Sequence, residues 1–225
     1  PALPSHWLPP PPSAESAVAV ERSGLHVEGL VALRDFDTGE EILREEPLAV
    51  LHCGSSAQAD MRRAAKRLIG SGQVDEVLRS SLWRGPPDGP KARELADMVD
   101  IVLDSSLWNH RNNLLATLCM FGFNAFSTQD DTAQVLYTLI CKANHSCAPN
   151  AAVVVPNSGS GQLVCIRPIA CGEEVTVSYL NAKEMCMERR ERVQRLRRGW
   201  EFTCGCSSCA GGAPGPREGQ ELSPW

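Results

Sequence analysis

The sequence predicts an α+β fold in which two strand-rich parts flank a helical block and a short cysteine-rich segment follows them. Apolar residues come in short runs between turn signals over 17–51 and again in the later part of the chain, which favours small strands. Over 57–120 they recur at helical spacing instead. The 225 residues, 43% of them hydrophobic, are enough for one sizeable domain with a buried core.

Composition excludes several classes of function. A net charge of -5 argues against direct nucleic-acid binding, because phosphate contacts need a basic surface. No apolar run reaches the roughly 18 residues of a membrane span, so we expect no membrane association. The start of the chain lacks a secretory signal, and we expect an intracellular protein of the cytoplasm and/or nucleus. Because Pro1 replaces an initiator Met, we expect a fragment or a processed product.

The chain is expected to begin with a tail, followed by a domain that contains a helical insertion. Residues 1–16 are rich in proline, and we expect them to be disordered. A globular domain follows over 17–202, with strand-like runs up to residue 51. A helical insertion occupies about 53–117. Its helices are predicted over Ala57–Trp83 with a break at Gly70-Ser-Gly72, over Lys91–Trp108 and over Asn112–Phe121.

Short strands return after the insertion. Val153–Val155 and Leu163–Ile166 flank a glycine-rich loop, which predicts a hairpin. Residues Ala182–Arg198 then predict one helix with a basic face, which we interpret as solvated; an acidic partner is the alternative. The cysteine-rich segment spans 203–210, and the tail 211–225 is expected to be disordered. The six arginines of the basic face are Arg189, Arg190, Arg192, Arg195, Arg197 and Arg198.

The closely spaced Cys204, Cys206 and Cys209 predict a structural zinc site. Thiols this close cannot easily pair with one another in disulfides, whereas thiolates at such spacing fold around a tetrahedral zinc ion. The tail has no fourth cysteine, so the fourth ligand must come from elsewhere in the chain. The alternative is a set of redox-active or unpaired thiols.

Four groups of residues carry a resemblance to a known family. They are Gly29-Leu-Val-Ala with Glu40-Glu-Ile and Glu45-Glu-Pro47-Leu; Phe123-Asn124-Ala-Phe126; Asn144-His-Ser-Cys-Ala-Pro-Asn150; and Gly172-Glu-Glu through Tyr179 with Phe202-Thr-Cys-Gly-Cys-Ser-Ser-Cys209. With these motifs the chain resembles the SET-domain protein lysine methyltransferases, most closely the SET-and-MYND (SMYD) type. The resemblance covers about 23–50 and 118–209. It implies a SET fold of several small β-sheets with a C-terminal pseudo-knot and a post-SET zinc site. The chain departs from the SMYD type in that no MYND finger is present and residues 53–117 are predicted to be helical instead.

The resemblance also implies a cofactor, S-adenosylmethionine, and roles for particular residues. Tyr179 matches the tyrosine at the methyl-transfer centre, while Phe126 and Trp200 match walls of the lysine channel. Cys147 supplies the fourth ligand of a structural zinc ion, beside the three terminal cysteines. The residues that match the cofactor pocket are Val27, Glu28, Gly29, Asn124, Asn144, His145, Tyr179 and Phe202.

The expected activity is therefore methyl transfer to lysine on a histone or non-histone protein substrate, by a monomer. Two residues depart from the family pattern: Val27-Glu28-Gly29 replaces Gly-x-Gly, and Trp200 replaces a channel tyrosine. They favour the alternative of a catalytically weak or inactive SET module that serves as a protein-interaction domain. A hydrolytic Cys147–His145 dyad is a third interpretation, although no orienting acid is evident.

Overall fold

A computed structural model describes residues 17–23, 28–52 and 58–210. Four features inferred from the sequence lie outside these residues: the proline-rich segment 1–16, the tail 211–225, Val27 and Cys53. Among the described residues, ten short strands and seven α-helices make up the fold, with the helices concentrated in the middle and at the end. The expected α+β architecture with several small sheets is confirmed.

Three small sheets form the strand-rich part. The strands are β1 (Val18–Glu21), β2 (Gly29–Ala32), β3 (Glu41–Glu45), β4 (Ala49–His52), β5 (Phe126–Ser127), β6 (Ala133–Leu136), β7 (Asn144–His145), β8 (Ala151–Val154), β9 (Gly161–Cys165) and β10 (Glu174–Val177). Their orders are β1-β2-β10-β7, β3-β9-β8 and β4-β6-β5. Strands from before and after the insertion therefore share every sheet, so the helical block interrupts one folding unit.

A hairpin forms where the glycine-rich loop predicts it. Strands β8 and β9 pair antiparallel, with Ala151 opposite Cys165 and Val154 opposite Gln162. The hydroxyl of Tyr137 donates to the carbonyl of Gly159 in the loop, at 2.6 Å. A Cβ at Gly161 would lie 2.5 Å from the Tyr137 ring, so this position needs glycine.

The helical block contains four helices, α1 (Gln58–Gly70), α2 (Gln73–Arg79), α3 (Pro90–Val102) and α4 (Arg111–Asn124). The predicted break separates α1 from α2, where Gly72 has a φ of 79°. Helix α3 ends at Val102 instead of reaching Trp108, because Leu103 is extended. A 3-10 turn over Trp108–His110 then leads into α4, which continues past Phe121 to Asn124.

The single helix predicted over 182–198 is wrong: the chain forms α5 (Ala182–Met185) and α6 (Arg189–Trp200), followed by α7 (Ser207–Ala210). Two capping boxes explain the division, one between Asn181 and Glu184 and one between Glu188 and Glu191. Arg192 is also not on a solvated face, as the sequence suggested, because it is buried with 1% of its surface exposed.

The buried residues form three clusters. The sheets enclose the first, around Leu30, Tyr137 and Leu163. The insertion packs the second against strands β4 and β6, with Val77 and Met120 at its centre. The third gathers four cysteines around Leu196 of α6. In the part of the chain described above, no helix has the length and apolar character needed to cross a bilayer.

Candidate active site and metal centre

The Asn144 motif lies directly beside the strand that leads to Tyr179. Strands β7 and β10 pair in parallel, with Thr176 opposite Asn144 and Val177 opposite His145. The side chain of Asn150 ties the loop after β7 to β10, since its Oδ1 accepts from the Thr176 backbone N–H at 2.7 Å and its Nδ2 donates to the Glu174 carbonyl at 2.8 Å. The Asn144 motif and the Gly172–Tyr179 motif, which are far apart in sequence, thus lie side by side at one edge of the sheet.

Asn144 holds the loop before β2 in place. Its Nδ2 donates to the carbonyl of Glu28 and to Oε1 of Glu174, both at 2.7 Å. A Cβ at Gly29 would overlap the Glu174 carboxylate and approach Asn144 Nδ2 to 2.8 Å, so only glycine fits without a shift. The Glu28 carboxylate accepts from Lys142 Nζ at 2.9 Å, which neutralises the acidic residue of this loop.

The ring of His145 is buried, and both of its nitrogens have hydrogen-bond partners within the protein. Nδ1 accepts from the backbone N–H of Tyr179 at 3.0 Å, so Nε2 carries the proton of the neutral ring. Nε2 lies 3.3 Å from Cys147 Sγ. A nitrogen that already carries its proton cannot take one from the thiol, which argues against a Cys147–His145 hydrolytic dyad.

Tyr179 stands among aromatic rings at the end of this edge. Its ring centre lies 5.4 Å from that of Trp200, 5.4 Å from that of His145 and 6.3 Å from that of Phe202. Its hydroxyl donates to the carbonyl of Ala143 at 3.1 Å, which leaves the oxygen lone pairs as acceptors. Burial raises the pKa of Tyr179, so the phenol stays neutral at physiological pH.

Asn124 and Phe126 lie at the end of α4 and at the start of β5. Asn124 ends α4, and its Nδ2 donates to the carbonyls of Trp83 and Met120, both at 2.7 Å. The Phe126 ring packs 6.5 Å from that of Tyr137. Their assignments to the cofactor pocket and the lysine channel stay predictions, as do those of the other site residues.

Four buried cysteines, Cys147, Cys204, Cys206 and Cys209, form a cluster that can hold a metal ion. Their sulfur atoms all lie within 4.8 Å of one another, and Cys147 Sγ is 3.7 Å from Cys209 Sγ. A tetrahedral zinc ion with Zn–S bonds of about 2.3 Å separates its sulfurs by about 3.8 Å. The donor set and spacing therefore suit zinc, with every position filled by protein.

Hydrogen-bond donors converge on Cys147 in particular. Contacts from Cys204, His145 and Arg192 hold the pKa of the Cys147 thiol well below its usual range, which favours the thiolate. The backbone N–H of Cys147 in turn donates to Cys206 Sγ at 3.3 Å. The segment after Phe202 thus returns to the loop that follows His145, as the expected pseudo-knot requires.

Sequence reasoning missed two of the residues that hold this site together. Glu174 is central to the network around Gly29, and Ser23 also donates to its carboxylate, at 2.8 and 2.9 Å. The Gly-Glu-Glu motif pointed to Glu174 but gave no role to its side chain. Arg192 was hidden among five other arginines, although Leu196 on the same helix signals its buried side.

Comparison with known proteins agrees with these motifs. Protein-lysine N-trimethyltransferase SMYD5 of Gallus gallus is 38% identical over 82 residues, which are 36% of this chain and 20% of that protein. Histone-lysine N-methyltransferase SMYD3 of Homo sapiens is 40% identical over 74 residues, 33% of this chain and 16% of that protein. The matched segments thus span a fifth or less of these relatives, and they confirm the resemblance to the SMYD type.

A solved structure shares the fold. It is described as the SET domain of LSMT bound to lysine and AdoHcy, and it superposes with a TM-score of 0.50 at 15% identity. The superposition covers 85% of this chain and 54% of that chain. The family profile described as SET domain matches residues 27–180, more than half of the sequence. The chain belongs to the SET-domain family.

Proposed function

We propose that the protein is a protein-lysine N-methyltransferase that uses S-adenosylmethionine. The observation that carries this proposal is the position of Tyr179, whose neutral phenol is bonded to the Ala143 carbonyl and surrounded by the Trp200 and Phe202 rings. Its strand lies beside the Asn144 loop, so aromatic faces and fixed oxygen acceptors converge at one place. This combination suits a reaction in which positive charge moves from a sulfonium to an amine.

The residues present fit the cofactor. S-adenosylmethionine supplies a methyl group on a positively charged sulfur when it is bound. Glu28, Gly29, Asn144 and Phe202 would hold it, since the bare Gly29 backbone allows close approach and the Asn144 side chain fixes that loop. SMYD5, SMYD3 and the LSMT SET domain lend support through their descriptions, two as lysine methyltransferases and one as bound to AdoHcy.

The chain's own residues would align the reactants and stabilise charge. Holding the lysine amine in line with the methyl group provides several kcal/mol through proximity alone, on the order of 7. Tyr179 would offer its phenolic oxygen as a preorganised acceptor, since its proton already points to the Ala143 carbonyl. The apolar walls of Trp200 and Phe126 would exclude water and favour the neutral amine, because burial disfavours its charged form.

The four cysteines would hold a structural zinc ion. With all four positions occupied by Cys147, Cys204, Cys206 and Cys209, no position is left for a reacting ligand. The ion would therefore fix the return of the C-terminal segment to the His145 strand. We also propose that the protein is intracellular, because a reducing compartment keeps such closely spaced thiols from being oxidised.

A second candidate function is a non-catalytic SET module that binds a protein partner. The observation that favours it is the Glu28 carboxylate, an acidic group in the loop expected to hold the cofactor, although its ion pair with Lys142 offsets the charge. A module of this kind would keep the fold and the metal but neither bind S-adenosylmethionine tightly nor transfer its methyl group.

The experiment that tests catalysis uses the chain's two tyrosines as a matched pair. Transfer of a labelled methyl group to lysines of histones and of arrayed peptides would be measured for the wild type, Tyr179→Phe and Tyr137→Phe. Tyr179→Phe should lower turnover by at least about 100-fold, a typical loss for a preorganised electrostatic group. Cofactor affinity should change little, because the ring remains.

Tyr137→Phe is the control for the loss of a buried hydroxyl. It removes the hydrogen bond to the Gly159 carbonyl and should cost about 1 kcal/mol of stability, with turnover near that of the wild type. Undiminished transfer by Tyr179→Phe would refute the assignment of Tyr179. If the folded wild type neither binds the cofactor nor transfers a methyl group, the result would favour the second candidate, a non-catalytic SET module.

A further inference from the structure

Arg192 is a buried cation that contacts the cysteine cluster. It is 1% exposed, whereas the other five arginines of the predicted basic face are exposed. Its Nε–H donates to Cys147 Sγ at 3.4 Å, and its Nη1 donates to the Met187 carbonyl at 2.6 Å. No carboxylate appears among the hydrogen bonds of its guanidinium in the described part of the chain. The sulfur is thus its anionic partner.

The charge of a loaded site explains why a buried arginine is placed there. Four thiolates around a divalent ion carry a net charge of about -2, and burying such charge is costly unless a cation or hydrogen-bond donors compensate it. Arg192 supplies a permanent positive charge and a planar donor at the same sulfur. An apolar residue at this position would leave the cluster uncompensated.

His145 is a second donor to the same sulfur and links it to Tyr179. Because Nδ1 accepts from the Tyr179 backbone N–H, the proton on Nε2 points to Cys147 Sγ, 3.3 Å away. A continuous series of hydrogen bonds therefore runs from Arg192 through Cys147 and His145 to the Tyr179 backbone. Both ring nitrogens are occupied, so a ligand could hydrogen-bond to the His145 ring only by displacing one of these partners.

We propose that Arg192 and His145 are positioning residues that hold the Cys147 thiolate in the metal site, and that His145 ties the Tyr179 backbone to that site. Outer hydrogen-bond partners of metal ligands typically contribute about 10- to 100-fold to metal affinity. This inference concerns the metal site and is independent of methyl transfer, so it can hold or fail separately from the proposed function.

The first test is the rate at which zinc-loaded protein releases its metal to a chromophoric chelator. Arg192→Met removes both charge and donor and should release zinc at least about 10-fold faster. Arg192→Lys keeps the charge, and its release rate should lie between those of Arg192→Met and the wild type. Arg192→Gln keeps a donor but removes the charge. Arg190→Met, on the exposed side of the same helix, should match the wild type.

Two spectroscopic measurements keep the proposal testable if Arg192→Met does not fold. In the cobalt-substituted protein, Arg192→Lys should shift the sulfur-to-cobalt charge-transfer band and Arg190→Lys should not. Nitrogen-15 NMR of the metal-loaded wild type should show His145 as the neutral tautomer with its proton on Nε2. Release rates within twofold of the wild type for a folded Arg192→Met, or unchanged bands for Arg192→Lys, would overturn the role of Arg192. A proton on Nδ1 would overturn that of His145.

Discussion

At the scale of single residues, the ring that faces Tyr179 would set the width of the proposed lysine channel. Trp200 stacks against it with ring centres 5.4 Å apart and planes tilted by 35°. Relatives of the resembled family carry a tyrosine there, whose oxygen can hold water or an amine. An indole occupies more volume, and its N–H donates but cannot accept.

We therefore expect mainly monomethyl-lysine as product, because a second transfer needs room for the first methyl group. Mass spectrometry of a substrate peptide at long reaction times would measure the product distribution. Trp200→Tyr should raise the proportion of higher methylation states. Predominant trimethyl-lysine from the wild type would rule out the steric argument, and an unchanged distribution in the variant would show that this position does not control the outcome.

Gly29 provides a second prediction at this scale. A methyl group there would collide with the Glu174 carboxylate, which also binds Ser23 and Asn144. Gly29→Ala should therefore lower the free energy of unfolding by about 1–3 kcal/mol, and weaken binding of S-adenosylhomocysteine. Gly70→Ala, with open space around its Cβ at the end of α1, is the control and should be neutral or slightly stabilising. Equal effects of both substitutions would contradict the close approach.

The sequence pointed to several candidate site residues, but not to the orientation of their side chains. The Asn-His motif and the Gly-Glu-Glu motif predicted a common site, and the two strands pair. The inward position of the His145 ring depends on the Tyr179 backbone N–H, a contact across 34 residues that no local pattern encodes. Arg192 was misplaced because a charged residue type suggests exposure unless its partner is known.

At the scale of elements, a polar junction joins the helical insertion to the C-terminal helix. Lys91, in the first turn of α3, donates from Nζ to the carbonyls of Gly122 near the end of α4 and Gly199 near the end of α6. Glu201 caps α3 from the other side, since its Oε1 accepts from the Lys91 backbone N–H at 3.0 Å. A cation therefore lies at two helix C-termini and an anion at one N-terminus, as the helix dipoles favour.

Lys91→Met should therefore lower the free energy of unfolding by about 1–3 kcal/mol, because it leaves two partly buried carbonyls without their donor. For a domain of this size the melting temperature should fall by about 2–4 °C per kcal/mol. Lys66→Met is the matched control in the same insertion. Its exposed pair with Asp104 should contribute little to stability. A melting temperature for Lys91→Met equal to that of the control would show that the junction adds little.

The spacing of apolar residues predicted where the helices lie, but it did not predict where they end. The periodicity over 91–108 continued past the true end of α3 because Leu103 and Leu107 still fit the pattern while the backbone of Leu103 is extended. Over 182–198 the apolar spacing spans two helices, and the capping boxes that separate them were readable but outweighed by that spacing.

At the scale of the whole molecule, the cysteine cluster connects the C-terminal segment to the loop after β7, which pairs with the strand that leads to Tyr179. Cys147 follows β7, whereas the other three cysteines follow α6, and Arg192 and Leu196 of α6 pack against the cluster. The sequence predicted that these four cysteines come together, three from their spacing and Cys147 from the family resemblance, and the structure brings them together. The arrangement of strands into three sheets depends on pairings between distant segments, which single-sequence patterns do not encode.

Loss of the metal should therefore weaken cofactor binding. Elemental analysis should find one zinc ion per chain in the wild type and none in Cys206→Ser. This variant should also bind S-adenosylhomocysteine at least about 10-fold more weakly. Cys186→Ser is the control, because Cys186 is exposed and outside the cluster. Cofactor binding at wild-type strength by a metal-free Cys206→Ser protein would contradict this connection.

The most direct test of the central claim is a calorimetric titration of the zinc-loaded chain with S-adenosylhomocysteine. If the edge formed by Gly29, Asn144 and Tyr179 is a cofactor site, the titration should show one site per chain with a dissociation constant between about 1 μM and 1 mM. Adenosine alone should bind more weakly. A folded, zinc-loaded chain that gives no heat beyond dilution would contradict the assignment of this edge as a methyltransferase site.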